Sequence, residues 1–299
     1  MIPHPPTLSR RRLLKTLFCS SVAMNLNLSR EVQAADAPRH ESLELFALGD
    51  FGSGNPNQTA VARAMVDDAG KLAKPTDGML MLGDNFYGNM PGGVKSPRWK
   101  TGFSDLYPAK AFPGKCWAIL GNHDYHDTAG NEQVQLNYAA SLDRKTRWTM
   151  PGKYYRLDLP VEKPIVTFLM IDTNYPMNDG RSYLSAEERD AQKKWLESQL
   201  ASSRAPFTVV VGHHPLYSDG AHGDGKVLIK DLGELFGNHG VHLYLCGHDH
   251  DLQHLELEGK KNLVRHLRRR RCRAAPSREK PQRRDLQRRP RLQPSFVHR

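Results

Sequence analysis

Cysteine is scarce in this chain: four in 299 residues, at positions 19, 116, 246 and 272. Cys116 and Cys246 sit inside apolar runs, where a free thiol behaves as a small hydrophobe. A disulfide framework and a cysteine-type zinc site are therefore excluded. There is no GxSxG elbow and no Gly-rich P-loop, which removes an activated serine and a Walker-type phosphate cradle. Long apolar runs are missing too. The stretch near the N-terminus is interrupted by Ser and Asn and falls short of the ~20 residues that a spanning helix needs, so no stable membrane anchor is expected. No repeat at solenoid or propeller spacing occurs.

The formal charge of +11 suggests nucleic acid until its location is read. Residues 264–299 carry fourteen Lys/Arg and two acidic residues, and residues 1–34 carry five and one. What remains, 35–263, has 24 basic and 29 acidic residues, a net of −5. The folded part is mildly acidic, which argues against a specific nucleic-acid partner. The N-terminus runs Ser9-Arg10-Arg11-Arg12-Leu13-Leu14-Lys15 into a moderately apolar stretch and ends at Val32-Gln33-Ala34, which fits a small-residue cleavage site. It resembles a twin-arginine export signal processed after Ala34, implying a periplasmic or secreted protein.

Five apolar runs end in Gly followed by a residue that can bind a metal: LELFALGD (Asp50), GMLMLGDNFY (Asp84, with Tyr87), CWAILGNHD (Asn122, with His123 and Asp124), FTVVVGHHP (His213) and VHLYLCGHDH (His248, His250). Short β-rich runs read as buried strands, and the glycine is expected to let the chain turn sharply at each strand end. Carboxylates, an amide, imidazoles and a phenol would then meet along one edge of a sheet, where open α/β sheets bind ligands. Between these runs, 57–74 has helical periodicity with Thr59 or Asn57 as N-cap, and 88–115 is a Gly/Pro/Lys-rich stretch. PIVTFLMIDT, to Asp172, reads as a further strand. Ser185 to Glu188 form a capping box that opens a helix to about Leu200, with Trp195 and Leu200 on its buried face. A short helix spans Lys226 to Phe236, stopped by Gly237.

In order, GD, GDNFY, GNHD, VVGH and GHDH resemble the five blocks of the purple acid phosphatases, in the small tartrate-resistant-acid-phosphatase-like branch of the binuclear metallophosphoesterases. The resemblance runs from about Leu43 to Leu263. It implies an α/β metallophosphoesterase-like layered fold, β-sheets flanked by helices, with the metal site at the carboxyl ends of strands. It also implies that Asp50, Tyr87 and His250 hold one ion, that Asn122, His213 and His248 hold the second, and that Asp84 bridges them. Hard anionic oxygens, a phenolate above all, favour Fe(III), while imidazoles and an amide oxygen suit a divalent ion, Fe2+, Zn2+ or Mn2+. Asp50-Phe51-Gly52 lacks the His of the Asp-x-His relatives, and GDNFY supplies the phenolate instead.

The implied activity is an acid phosphatase that hydrolyses small phosphate monoesters by in-line attack of a metal-bound hydroxide. The alternative is a phosphodiesterase or nucleotide-specific phosphatase with the same metal site. His123 and His222 match the positions that offer a proton or hydrogen bond to phosphate oxygen. Asp124 is expected to orient a neighbouring ligand or His. His214 is left to packing or hydrogen bonding, and nothing assigns chemistry to His126, His239, His242 or His254.

Residues 264–299 lack strand or helix periodicity and are crowded with Arg and Pro. A one-base shift in a permissible codon choice for residues 264–273 encodes FVISGAGGA, which resembles the strand and glycine-rich turn that follow GHDH in this family. The tail therefore reads as a disordered frameshift product, with the closing strands of the 35–263 domain missing and a sheet edge left unpaired.

Overall fold

The computed structural model describes residues 22–29, 42–141, 145–176 and 182–255, the first of these as backbone alone. The reading of residues 264–299 lies outside the described residues.

The apolar runs form strands, but they divide between two sheets instead of sharing one. Val22–Ser29 (β1) runs antiparallel to Ser42–Gly49 (β2), which continues in parallel through Gly78–Met81 (β3), Lys115–Ala118 (β4) and Trp148–Thr149 (β5). Tyr155–Leu159 (β6), which the motif reading passes over, starts the second sheet by pairing antiparallel with Val166–Met170 (β7). Phe207–Val211 (β8) and Leu243–Leu245 (β9) then follow in parallel. Among the described residues β9 is the last strand of that sheet.

Period-two alternation explains why these runs are apolar throughout. In β2 and β3, Leu45, Ala47 and Leu80 face the second sheet, where they pack with Phe168, Val209 and Leu245. Their neighbours Phe46, Leu48, Met79 and Met81 face outward onto Val61 and Met65 of helix α1 (Pro56–Ala69). The second sheet does the same: Leu169 and Val210 turn toward Leu196 and Leu200 of a later helix (Ala186–Ala201) and toward Leu232 and Phe236. The result is two face-to-face sheets with helices outside, and each fully buried aliphatic side chain contributes roughly 1.5–3 kcal/mol.

Helix ends follow their caps. Helix α1 starts earlier than its periodicity suggests because Asn55 is the cap, accepting from the backbone of Asn57 and Gln58, with Pro56 in the first turn. It stops at Gly70. The Ser185–Glu188 capping box is present with both reciprocal bonds, although Leu196 and Gln192 are more buried than Trp195. Within 88–115 the chain makes short helical turns at Gly93–Lys95 and Trp99–Ser104. Among the described residues the last helical segment runs over 226–238, through Gly237.

Strand β1 lies within the segment read as an export signal, so processing after Ala34 would remove it and bare the outer edge of β2. A chain beginning at Ala35 is expected to keep the fold, because β2 stays bonded to β3 and is buried on both faces. Hydrogen exchange should speed up only at the residue 42–49 amides that faced β1. A truncated chain that cannot fold would make β1 integral to the domain and would exclude removal of the segment.

Candidate metal centre

Three of the five motifs leave the first sheet and two leave the second, and all five arrive at one seam. Asp50 follows β2, Asp84 and Tyr87 follow β3, and Asn122 follows β4 and precedes the single-turn helix α2 (His123–His126). His213 follows β8, and His248 and His250 follow β9.

The turning at the strand ends is done mostly by the donor residues. Asp50, Asp84, His248 and His250 have φ of 57°, 51°, 77° and 52°, and they are the non-glycine residues with positive φ among those described. Of the five motif glycines only Gly83 shares that conformation. What the glycines supply is clearance. A Cβ on Gly83 would stand 2.6 Å from His213 Nδ1, one on Gly247 2.5 Å from Asp50 Oδ2, and one on Gly121 would run into the Asp84 carboxylate.

Two groups of donors meet at Asp84. On one side Tyr87 Oη lies 3.3 Å from Asp84 Oδ2 and 3.0 Å from His250 Nε2, and His250 Nε2 lies 3.5 Å from Asp50 Oδ1. On the other, His213 Nε2 lies 3.1 Å from Asn122 Oδ1, 3.3 Å from His248 Nδ1 and 3.5 Å from Asp84 Oδ1. All seven sequence-predicted ligands are thus brought together. His214 joins His213 and His248 in a group of three imidazoles whose donor atoms lie within 4.8 Å of one another, and its Nδ1 is 2.9 Å from Thr173 Oγ1.

The donor chemistry fits cations. His213 Nδ1 faces the Leu82 carbonyl at 2.9 Å; in the neutral ring, donating there leaves the Nε2 lone pair pointing at the Asn122 amide oxygen, which can only accept, so the site calls for a proton or a cation between them. That second-contact geometry is usual for a metal-bound imidazole. Asn122 stands where an asparagine would ordinarily cap a helix, yet its side chain makes no capping bond. Burial opposes charge on Asp84, but His213 and His123 hold its carboxyl well below the usual range. Burial likewise opposes charge on His213, and Asp84 and Asp50 reverse this, raising it to about 10. Burial, reinforced by the Asp84 and Asp50 carboxylates, pushes the Tyr87 phenol far upward, so its ionisation requires a strong positive charge nearby.

The supporting residues are only partly those expected. Asp124, fully buried, orients loops more than a histidine: it accepts from the backbone of Asn85, Phe86 and Gly121 and from Gln135 Nε2. Burial and the nearby Asp84 push it up to about 7 against those hydrogen bonds. Asp127 is the carboxylate that holds His123, at 2.8 Å from its Nδ1, and the His123 ring packs 4.4 Å from that of Tyr87. The i,i+4 spacing of His123 and Asp127 was the available signal. Arg98 gave none, being one cation in a Gly/Pro/Lys-rich stretch. Its guanidinium donates to the carbonyls of Tyr87, Asn89 and Gly52, tying two metal-site loops together. His222 is exposed, but its loop is tethered: its backbone N–H donates to Asp249, the Ser218 hydroxyl also bonds Asp249, and Gln253 bonds Ser218 and Asp219. Its ring stands 4.3 Å from that of His248.

Clearance at the glycines makes a specific demand. Gly121→Ala is expected to displace the Asp84 carboxylate and weaken both ions by at least about tenfold, the lower range for loss of a supporting contact, while far-UV circular dichroism stays unchanged. Metal binding equal to the parent's would show that Asp84 does not need the space.

Comparison with known proteins agrees with this geometry. The calcineurin-like phosphoesterase family matches residues 43–252. Tartrate-resistant acid phosphatase type 5 of Rattus norvegicus is 33% identical over 233 residues, covering 73% of this chain and 69% of that protein; the Homo sapiens enzyme is also 33% identical, at 73% and 70%. Purple acid phosphatase 17 of Arabidopsis thaliana is 32% identical over 262 residues, at 82% and 73%. Among solved structures, GAP50, the anchor in the inner membrane complex of Plasmodium, superposes with a TM-score of 0.61 at 25% identity, covering 72% of this chain and 69% of that one. With the family matched across most of its length and the donors of two sheets converging on Asp84, the chain belongs to the calcineurin-like phosphoesterases, in their tartrate-resistant and purple acid phosphatase branch, and is a metal-dependent phosphoester hydrolase.

Proposed function

We propose that this protein is a binuclear-metal acid phosphatase acting on small phosphate monoesters. The observation that carries the reading is Asp84, a buried carboxylate with one oxygen toward Tyr87 and the other toward His213. In this reading Asp50, Tyr87 and His250 would hold Fe(III), Asn122, His213 and His248 would hold a divalent ion, Fe2+, Zn2+ or Mn2+, and Asp84 would be shared by both. When bound, such a pair of ions activates a water-derived nucleophile and neutralises charge on the phosphoryl group. The acid phosphatase names of the relatives support the monoester reaction over the phosphodiester alternative.

The chain's own residues do the rest. Asp127 accepts from His123 Nδ1–H, which leaves Nε2 for a phosphate or leaving-group oxygen. His222, on a loop tethered to the GHDH segment, comes from the other sheet's side of the seam and is available to protonate the leaving alkoxide. We further propose that the protein works outside the cytoplasm, an assignment that rests on the twin-arginine segment alone.

Removing the shared carboxylate should be the most damaging single change. Asp84→Ala is expected to lose both ions and to lower monoester hydrolysis by more than about a hundredfold, beyond the usual cost of losing an outer-shell partner. Elemental analysis and a p-nitrophenyl phosphate assay measure both effects. Full activity in a metal-free preparation would end the reading.

Colour tests the Tyr87 assignment on its own. The iron-loaded protein should show a visible phenolate-to-iron band, and Tyr87→Phe should abolish it with iron still bound. An unchanged spectrum in that variant excludes Tyr87 as the ligand. His222→Ala should slow alkyl phosphates more than aryl phosphates, because only the poorer leaving groups need the proton. Equal losses would assign His222 to phosphate positioning.

A further inference from the structure

The motif reading gives His126 no role, yet both of its ring nitrogens face polar atoms. His126 Nδ1 lies 2.8 Å from Asp127 Oδ1, and His126 Nε2 lies 3.2 Å from Asn122 Nδ2. Asn122 and His126 are four residues apart across the single turn α2, so the contact comes from local helical geometry. On its other side Asn122 presents Oδ1 to His213 Nε2 at 3.1 Å.

The polarity of this chain of contacts is fixed from one end. The Asp127 carboxylate can only accept, so His126 Nδ1 must carry the proton. In the neutral ring its Nε2 is then a lone pair, which can take a hydrogen bond from the Asn122 NH2 group but has nothing to give to a carbonyl oxygen. While His126 is neutral the amide is therefore held with its nitrogen toward His126 and its oxygen toward His213. Turned over, Asn122 would aim N–H at His213 Nε2 and present no oxygen to a cation there. Asp127 is itself fixed by Gly88 N–H at 2.6 Å from Oδ2 and by His123 Nδ1 at 2.8 Å from Oδ1.

We propose that His126, with its tautomer set by Asp127, is a positioning residue that selects the metal-binding face of the Asn122 amide. The same carboxylate then holds His123 for substrate and His126 for the ligand, coupling the two functions through one side chain. The proposal rests on Asn122 being a ligand, as read above.

The test is equilibrium dialysis of the apo full-length chain against Zn2+, counting ions, with melting temperature as a check on folding. His126→Phe should bind one ion as the parent does and the other 10–100-fold more weakly, the range for outer-shell partners. His126→Gln should recover most of that loss, since its NH2 can donate to Asp127 and leave Oε1 to accept from Asn122. Asp127→Ala, which opens no core cavity, should show the same one-ion loss by freeing the His126 tautomer. Parent-like binding of both ions in His126→Phe and Asp127→Ala overturns the proposal, as does a failure of His126→Gln to improve on His126→Phe. Asn122→Ala separates the two readings: if it loses one ion while the His126 and Asp127 variants do not, the metal centre stands without this device. If it keeps both, the ligand assignment falls and takes the proposal with it.

Discussion

Acceptor atoms from two separate sheets are forced together at Asp84, and the rest of the site is arranged to tolerate that crowding. A carboxylate oxygen, an amide oxygen and the His248 Nδ1 lie within 3.1 to 3.5 Å of His213 Nε2. Such a cluster needs positive charge between its members in a buried setting, either the proton that Asp84 and Asp50 hold on His213 or a cation in its place. Two further donors at the cluster are committed elsewhere. His213 Nδ1 faces the Leu82 carbonyl, and the Asn122 NH2 group faces His126. The backbone N–H groups of His123 and His248 hold the carboxylates of Asp84 and Asp50 from behind.

The sequence made the donors legible because each is anchored to the end of a short apolar run, a pattern that survives without knowledge of the partner strands. It did not reveal that the runs belong to two sheets. A strand buried on both faces reads the same beside either neighbour, and β6, whose middle residues are only partly buried, lacks the continuous apolar signature that marks the others. The glycines were legible as necessary but not for the right reason. Clearance for Asp84 beside Gly121 and for Asp50 beside Gly247 is a contact between residues more than thirty apart, which no local pattern encodes. Arg98 was invisible for the same cause, since its three backbone acceptors lie on loops that meet only in the folded chain. Asp127 was readable in principle, being one helical turn from His123, but Asp124 sits nearer in sequence and drew the assignment.

Charge shows how far composition can mislead when pooled. The basic surplus lies in the two terminal segments, while 35–263 carries a net of −5 and gathers acidic side chains where cations are needed. A centre that neutralises carboxylates with metal ions can still attract phosphate, because the local charge at the substrate is set by the ions and not by the surrounding domain.

The left-handed backbone at four of the seven proposed ligands ties function to stability. Asp and His tolerate that conformation better than most residues, so each costs nearer the low end of about 1–3 kcal/mol. Four together come to about 4 kcal/mol, a substantial part of the about 5–15 kcal/mol that holds a typical domain folded. Such strain persists only where the surroundings over-determine it. Here the strand ends are bonded in pairs: Asp50 N to the Gly83 carbonyl and Gly52 N to that of Asp84 between β2 and β3, and Gly247 N to that of His213 between β9 and β8. These bonds hold the backbone in place, but they do nothing for the crowded acceptors that the backbone presents. A proton on His213, held there by Asp84 and Asp50, offsets part of that repulsion, and bound cations would offset the rest, so the free energy of metal binding would add to the folding free energy of this domain. The residues that make the catalytic edge possible are then the ones that make the metal-free chain least stable.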